Sequence, residues 1–168
     1  MTLQLLKSVD EKRDELAALL VDCVESGASI GFLPPLPISD AHAYWEGLAP
    51  ELRSGSRLLL VALGDRVIVG AVQLALCTKK NGVHRAEVEK LMVHTQQRRA
   101  GIGRALLERI EQVAKEQRRT LLVLDTRSDD TASILYNKCA YIEAGRIPAY
   151  ASSAAGTLDG TTYFYKQL

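Results

Sequence analysis

At 168 residues, the chain has the length of one domain, on a norm of roughly 150 residues each, so residues 1–168 are expected to form a single domain. It carries 21 Lys plus Arg against 20 Asp plus Glu, a net charge of +1, with 47% hydrophobic residues. That balance argues against nucleic-acid and membrane-surface partners, both of which draw on a basic excess.

Thr2 to Val9 reads as a short first strand, and Asp10 as the N-cap of a helix whose Leu16, Leu19, Leu20, Cys23 and Val24 share one face. Gly27 ends that helix. The stretch 27–37 holds three prolines and two glycines and is expected to be irregular. Ser39 or Asp40 is expected to cap a second helix running through Trp45 to about Leu52. Leu58–Leu63, Gly64-Asp65 and Val67–Leu74 form a β-hairpin pattern. After a turn at Asn81-Gly82, Arg85 to Val93 is a further strand. A helix from about Gly101 to Gln117 follows, then an almost wholly apolar strand from Thr120 to Asp125, a pattern that suits burial on both faces. A helix near Asp130 to Lys138 precedes two last strands, around Tyr141–Arg146 and Thr162–Gln167, joined by a loop at 156–160. The expected fold is α/β: antiparallel strands first, then one parallel strand–helix–strand unit, in a mixed sheet of six or seven strands flanked by about four helices.

Cys23, Cys77 and Cys139 contain no CxxC pair, and His42, His84 and His94 have no metal-ligand spacing, so neither a disulfide framework nor a metal is expected. Free thiols suit a reducing compartment, and the first residues lack the pattern of a secretory signal. A cytoplasmic location is therefore expected. No stretch approaches the roughly 20 apolar residues that cross a bilayer.

The segment Arg98-Arg99-Ala100-Gly101-Ile102-Gly103 lies between a strand and an amphipathic helix. A helix N-terminus leaves about four backbone N–H groups unpaired, and its dipole favours anions. Gly101 and Gly103 give a pyrophosphate open access to those groups, and Arg98, Arg99 and Arg104 add cations for its oxygens. A dinucleotide-binding oxidoreductase is the competing reading, because Gly101-Ile102-Gly103-Arg104-Ala105-Leu106 partly matches GxGxxG and Asp125 ends the next strand. Leu106 in place of the third glycine, the gap from Val93 to Gly101, and the absence of repeated strand–helix–strand units count against it.

Glu87-Val88-Glu89-Lys90-Leu91-Met92-Val93, the Arg98–Gly103 run, and Leu135-Tyr136 ahead of Tyr141 together resemble the GNAT superfamily of N-acetyltransferases. The chain looks closest to the tabtoxin-resistance acetyltransferases, through 27–32, Arg85–Val93, Leu124-Asp125-Thr126 and Tyr163-Phe164-Tyr165-Lys166. The resemblance implies acetyl-CoA as cosubstrate and a V-shaped splay between the fourth and fifth strands that takes the pantetheine arm. Backbone groups of Leu91, Met92 and Val93 would hold that arm. The family usually has Gly-Phe where this chain has Ala140-Tyr141.

Acetyl transfer to an amine needs a base for the ammonium, N–H donors for the developing oxyanion, and an acid for the departing thiolate. Glu87 and Glu89 lie two apart on a strand and so share a face. Spacing alone equally describes a solvated charged row. The resemblance points to Glu87 as base, eleven residues before Arg98, with Glu89 as a substitute on the acceptor side. Asp125, at the carboxyl edge of its strand, is a second carboxylate that could orient the amine, or else a turn residue. Tyr136 is by pattern a core residue and by resemblance the acid. Ser29 and Phe32 of the irregular loop, with Trp45, are candidates for the acceptor pocket.

The expected activity is direct acetyl transfer to a primary amine of a small molecule, by resemblance an amino-acid-like toxin or antibiotic. A non-catalytic CoA-binding sensor module remains a further alternative. The last strand offers an edge on which a homodimer could form.

Overall fold

The computed structural model describes residues 1–168. In chain order the elements are β1 (Thr2–Leu6), α1 (Arg13–Glu25), α2 (Ile38–Gly47), α3 (Ala49–Ser54), β2 (Arg57–Gly64), β3 (Val67–Leu76), β4 (Arg85–Val93), α4 (Ile102–Glu116), β5 (Leu121–Arg127), α5 (Thr131–Lys138), β6 (Ile142–Ser152) and β7 (Leu158–Gln167). One seven-stranded sheet runs in the order β1-β2-β3-β4-β5-β7-β6. Only β4 and β5 pair in parallel, with α4 as their crossover.

Leu59-Leu60-Val61-Ala62 in β2 shows how the sheet divides the core. Leu60 and Ala62 join an apolar cluster with Leu106, Leu107 and Ile110 of α4. Leu59 and Val61 join a second cluster with Leu16, Leu20 and Trp45 of α1 and α2 on the opposite face. A strand covered on both faces has no solvent side, which is why it reads as an unbroken apolar run. Six apolar residues of α4 are buried, and burying each large side chain contributes about 1.5–3 kcal/mol. Gly70 in β3 lets this helix seat closely. A Cβ there would meet Leu106 Cδ1 and Met92 O at 3.0 Å and Ile102 Cγ2 at 3.1 Å.

Several boundaries differ from expectation, each for a local reason. Asp10 begins a 3-10 turn rather than capping α1, and no side chain caps that helix. Ser39 and Asp40 lie inside the first turn of α2, whose N-cap is Pro37. The second expected helix breaks at Leu48, because Pro50 has no N–H to donate and its ring would clash with the carbonyl four residues back. In the first turn of α3 neither penalty applies. The last two strands are longer than their pattern suggested. Register shifts at Glu143/Gly145 and Ile147/Ala151 absorb Gly145 and Pro148 without ending β6, as an edge strand permits. Five α-helices result, against about four expected.

The dinucleotide alternative finds no support in this arrangement. Leu106 is fully buried in the core, and a single parallel pair replaces the repeated units that such a site requires. No helix is long and apolar enough to cross a membrane.

Candidate active site

Parallel pairing of β4 and β5 covers Arg85↔Leu121, Ala86↔Leu122 and Glu87↔Val123, and stops there. The strands separate beyond Glu87, so the later part of β4 has no partner on its β5 side. A bulge sits at the same place. Between the pairs Gln73↔Glu89 and Ala71↔Met92 the register shifts by one, and Lys90 takes a positive φ of 51°. The extra residue turns Leu91 and Val93 toward the α4 side and Met92 toward α1. Strand pairing thus yields to an open wedge, the splay expected from the sequence.

A cleft of about 790 Å³ follows that wedge to the start of α4. Leu91, Met92, Val93, Arg98, Arg99, Gly101, Ile102, Gly103, Arg104 and Tyr136 all line it. Ala100 is the one residue of the expected loop that does not. Gly101 adopts φ 80°, a left-handed conformation that glycine enters without a Cβ penalty. The first bond of α4 runs from Ala105 N to Gly101 O at 3.0 Å, so the N–H groups of Ile102, Gly103 and Arg104 have no acceptor within the helix. Free N–H groups, the helix dipole and three arginines make an anion site suited to a pyrophosphate. The arginines are not equivalent. Arg98 donates to Ser26 Oγ at 2.6 Å and to Val93 O at 3.3 Å. Arg104 holds Glu108 at 2.7 Å, while Arg99 is exposed and unpaired.

The end of α1 braces this loop through contacts that the sequence did not suggest. Asp22 accepts from Thr95 N at 2.8 Å and from Thr95 Oγ1 at 2.7 Å. Cys23 donates to Val93 O at 3.6 Å, and burial pushes its thiol up to about 11. Burial, followed by the charge of Glu111, likewise raises the Cys139 thiol. Both sulfurs are therefore held in the protonated, poorly nucleophilic form.

Ala86 and Val88 pack on the α4 side, which sends Glu87 and Glu89 to the opposite face. Asp125 reaches the same face from β5, because Leu122 and Leu124 take the α4 side. The two glutamates differ in their partners. Glu89 accepts from Arg57 Nη1 at 2.6 Å, and that guanidinium also holds Glu51 at 2.9 Å and Gln73 at 2.9 Å. Gln73, fully buried, in turn bonds Tyr44. Glu87 has no ion pair or hydrogen bond. Burial raises its pKa above the ordinary carboxylate value, as do the charges of Glu89 and Asp125, while Arg57 and Arg85 oppose them. Asp125 accepts from Thr161 Oγ1 at 2.7 Å.

Tyr136 lines the cleft from α5, its ring 5.8 Å from that of Tyr141 and 5.9 Å from that of Phe164. Burial, then the charges of Asp125 and Asp130, raises its phenol far above the ordinary value, and it makes no hydrogen bond to the protein. It is thus both the core residue that its helical pattern suggests and a wall of the cleft.

A second cleft, of about 520 Å³, lies between loop 27–37 and the 151–159 end of the β6–β7 hairpin. It shares Gly27, Ala28 and Arg127 with the first. Ser29 and Phe32, two of the residues expected near the acceptor, line it. Trp45 does not. Its side chain is fully buried in the α1–α2 core, and a helical face packed against α1 leaves it no route to a ligand. Beside Phe32 the structure adds Tyr44, at 5.1 Å between ring centroids, and Lys90, whose Nζ lies 6.0 Å from the Phe32 ring and 5.9 Å from the Tyr44 ring.

Comparisons with known proteins bear on this geometry. A family model described as "Acetyltransferase (GNAT) family" matches residues 13–141. Among solved structures, a ribosomal-protein-alanine N-acetyltransferase from Brucella melitensis superposes with a TM-score of 0.82 at 21% identity, covering 100% of both chains. The yncA protein of Salmonella typhimurium, solved with its cofactor acetyl-CoA, gives 0.80 at 18%, covering 100% of this chain and 95% of that one. A protein described as a phosphinothricin N-acetyltransferase gives 0.81 at 18%, covering 99% of each. At these identities the structures establish a shared fold.

Proposed function

The chain belongs to the acetyltransferase (GNAT) family, whose members use acetyl-CoA as cosubstrate, and on that premise we propose that it acetylates a primary amine of a small molecule by direct transfer in a ternary complex. We read residues 1–168 as one such domain. One observation carries the proposal: the wedge that opens where β4 and β5 part at Glu87↔Val123 leads to the free N–H groups of α4. An uncommitted carboxylate, Glu87, stands where the strands part, and an uncommitted phenol, Tyr136, lines the cleft beyond.

The residues present fit the cosubstrate. Backbone N–H groups at the start of α4, with Arg98, Arg99 and Arg104, meet the pyrophosphate. Leu91 to Val93, lacking a strand partner on the β5 side, are available to the pantetheine arm. Acetyl-CoA supplies the acetyl group as an activated thioester. Glu87 takes a proton from the acceptor ammonium, directly or through one water, since its carboxylate is not engaged elsewhere. Glu89, held by Arg57 at 2.6 Å, is the poorer base for that reason. Asp125 orients the amine from the neighbouring strand. Strand amides near Val93 stabilise the developing oxyanion. Tyr136, kept protonated by burial, donates to the departing thiolate from the wall of the cleft. The buried, protonated state of Cys139 and Cys23 favours this direct route over an acetyl-cysteine intermediate.

For the acceptor, the 520 Å³ cleft, which is lined by neither Glu87 nor Asp125 and adjoins Lys90 through Phe32, has the volume of a small-molecule site. The sequence resemblance to tabtoxin-resistance acetyltransferases favours an amino-acid-like amine, with the phosphinothricin relative as a parallel. Three unpaired cysteines suit the reducing cytoplasm, where we place the protein. The test is thiol release from acetyl-CoA across a panel of amino acids, polyamines, aminoglycosides and short peptides. Release with a small amine is expected. Binding of acetyl-CoA without release for any amine would leave a CoA-binding module instead.

A further inference from the structure

Two half-buried charges on the acceptor face have no counter-ion. One is the Glu87 carboxylate. The other is Lys90, the bulge residue of β4, whose ammonium lies against the Phe32 and Tyr44 rings. Lys90 makes no salt bridge, since Glu89, its neighbour in sequence, is held by Arg57 at 2.6 Å. Two other cations of this region are paired, while Arg85 reaches only Cys77 Sγ at 3.7 Å. Arg57 holds Glu51 and Glu89, and Arg127 lies 3.3 Å from Asp130 and 3.8 Å from Asp159.

The surroundings do not compensate for burying Lys90. Its two aromatic neighbours stand at 6.0 and 5.9 Å, the outer limit for a cation–π contact, and such contacts at partly exposed sites are weak. Burial accordingly lowers its pKa, the first cause among several. Gly31, at φ 87°, faces the ammonium, and a Cβ there would come within 3.4 Å of Nζ. The irregular loop thus covers Lys90 while leaving its charge unmatched. A structural lysine would have a carboxylate within reach, and here Glu89, already held by Arg57, then Asp125 and Glu87 act on it only through space.

We infer that Lys90 is the specificity-determining cation of the acceptor site, and that it selects amines bearing a carboxylate or an equivalent acidic group. The inference rests on the acetyltransferase reading above and narrows its substrate class. Glu87 with Asp125 receives the ammonium end of the acceptor, and Lys90 receives the anionic end. Phe32 and Tyr44 lie against the Lys90 ammonium and supply apolar surface beside that anionic end. An acceptor carrying both charges supplies the counter-ions that this face lacks, whereas a simple amine supplies only one of them.

Matched acceptors test this: amino acids against their carboxamides and their decarboxylated amines, assayed by thiol release with the full-length enzyme. Acids are expected to be preferred. Lys90→Met should raise KM for them about 10- to 100-fold, the weight of a charge-assisted contact, with little change in kcat. For the decarboxylated amines the same variant should leave kcat/KM within about twofold, and Lys90→Arg should restore part of the acid preference. Thermal melting checks that Lys90→Met is folded, which the loss of an unmatched buried charge favours. Equal losses on acids and on decarboxylated amines would overturn the assignment, as would a wild-type preference for the neutral or decarboxylated forms. Absence of turnover with every amine would instead overturn the acetyltransferase reading, and the assignment with it.

Discussion

Replacing Glu87 by glutamine removes the proposed base and almost nothing else. The side chain has no ion pair or hydrogen bond, so the amide breaks no contact and fills the same volume. A positioned general base contributes roughly 10²- to 10⁴-fold, or about 3–5 kcal/mol of barrier at 1.36 kcal/mol per decade. A fall of that size in kcat is expected with KM for acetyl-CoA unchanged. The pH profile carries the sign. The folded-state pKa of Glu87 is raised by burial and by Glu89 and Asp125, so wild-type activity should decline with acid starting above the ordinary carboxylate range. Glu87→Gln should lack that limb, and the wild-type advantage should shrink as pH falls through it. Stability should move the opposite way to activity. A carboxyl whose pKa is higher folded than unfolded binds more protons in the native state, so stability is lost as pH rises between the two values. At neutral pH the variant should therefore melt at or above the wild-type temperature, and near pH 3 the two should converge. Thiol release from pH 5 to 9 and melting curves over pH 3 to 8 measure both. Wild-type kcat in the variant at every pH would remove Glu87 from the chemistry. A clear drop in melting temperature at neutral pH would mean that it has a structural partner.

Tyr136→Phe should retain the fold, because the ring packing against Tyr141 and Phe164 survives and no hydrogen bond is broken, while kcat falls by roughly 10²-fold; full turnover would exclude the phenol as acid. Ala140 occupies φ 62°, a left-handed conformation that costs an L-residue about 1–2 kcal/mol, at the position where the family usually has glycine. Ala140→Gly recovers that strain less the backbone entropy of glycine, of order 0.5–1 kcal/mol. A net gain of up to about 1 kcal/mol should raise the melting temperature by about 2–4 °C for a chain of this size, and a decrease on calorimetry would show that the conformation is not strained.

Periodicity made the sheet legible wherever burial alone decides it. The apolar run of β2 and the α4 stripe read correctly because each side chain has one cluster to enter. Boundaries failed where a single residue has two permitted roles. Pro50 ends one helix only by starting another, since the first turn has no use for the missing N–H. Gly145 and Pro148, breakers in most strands, are tolerated in β6 because an edge strand can bulge. Trp45 was misplaced for a related reason. A tryptophan beside an irregular loop suits a pocket as well as a core, and only the packing of α2 against α1 separates the two.

The site was legible by type more than by partner. Its anion-binding half depends on local features, a glycine at φ 80° and a helix start, and both leave a signature in adjacent residues. Its acceptor half depends on which charges are neutralised, and that is settled by residues far along the chain. Glu87 and Glu89 are indistinguishable as neighbours on a strand. Arg57, thirty-two positions before Glu89, separates them by occupying one and leaving the other free. The β4 bulge is equally invisible, because a left-handed lysine has no sequence marker and its consequence, a second unmatched charge, arises only when Phe32 and Tyr44 fold over it. A half-buried charge without a counter-ion costs stability in the free enzyme. Two of opposite sign on one face make that cost recoverable when a ligand supplies both counter-ions at once. Preorganisation of this kind favours a zwitterionic acceptor over one carrying either charge alone.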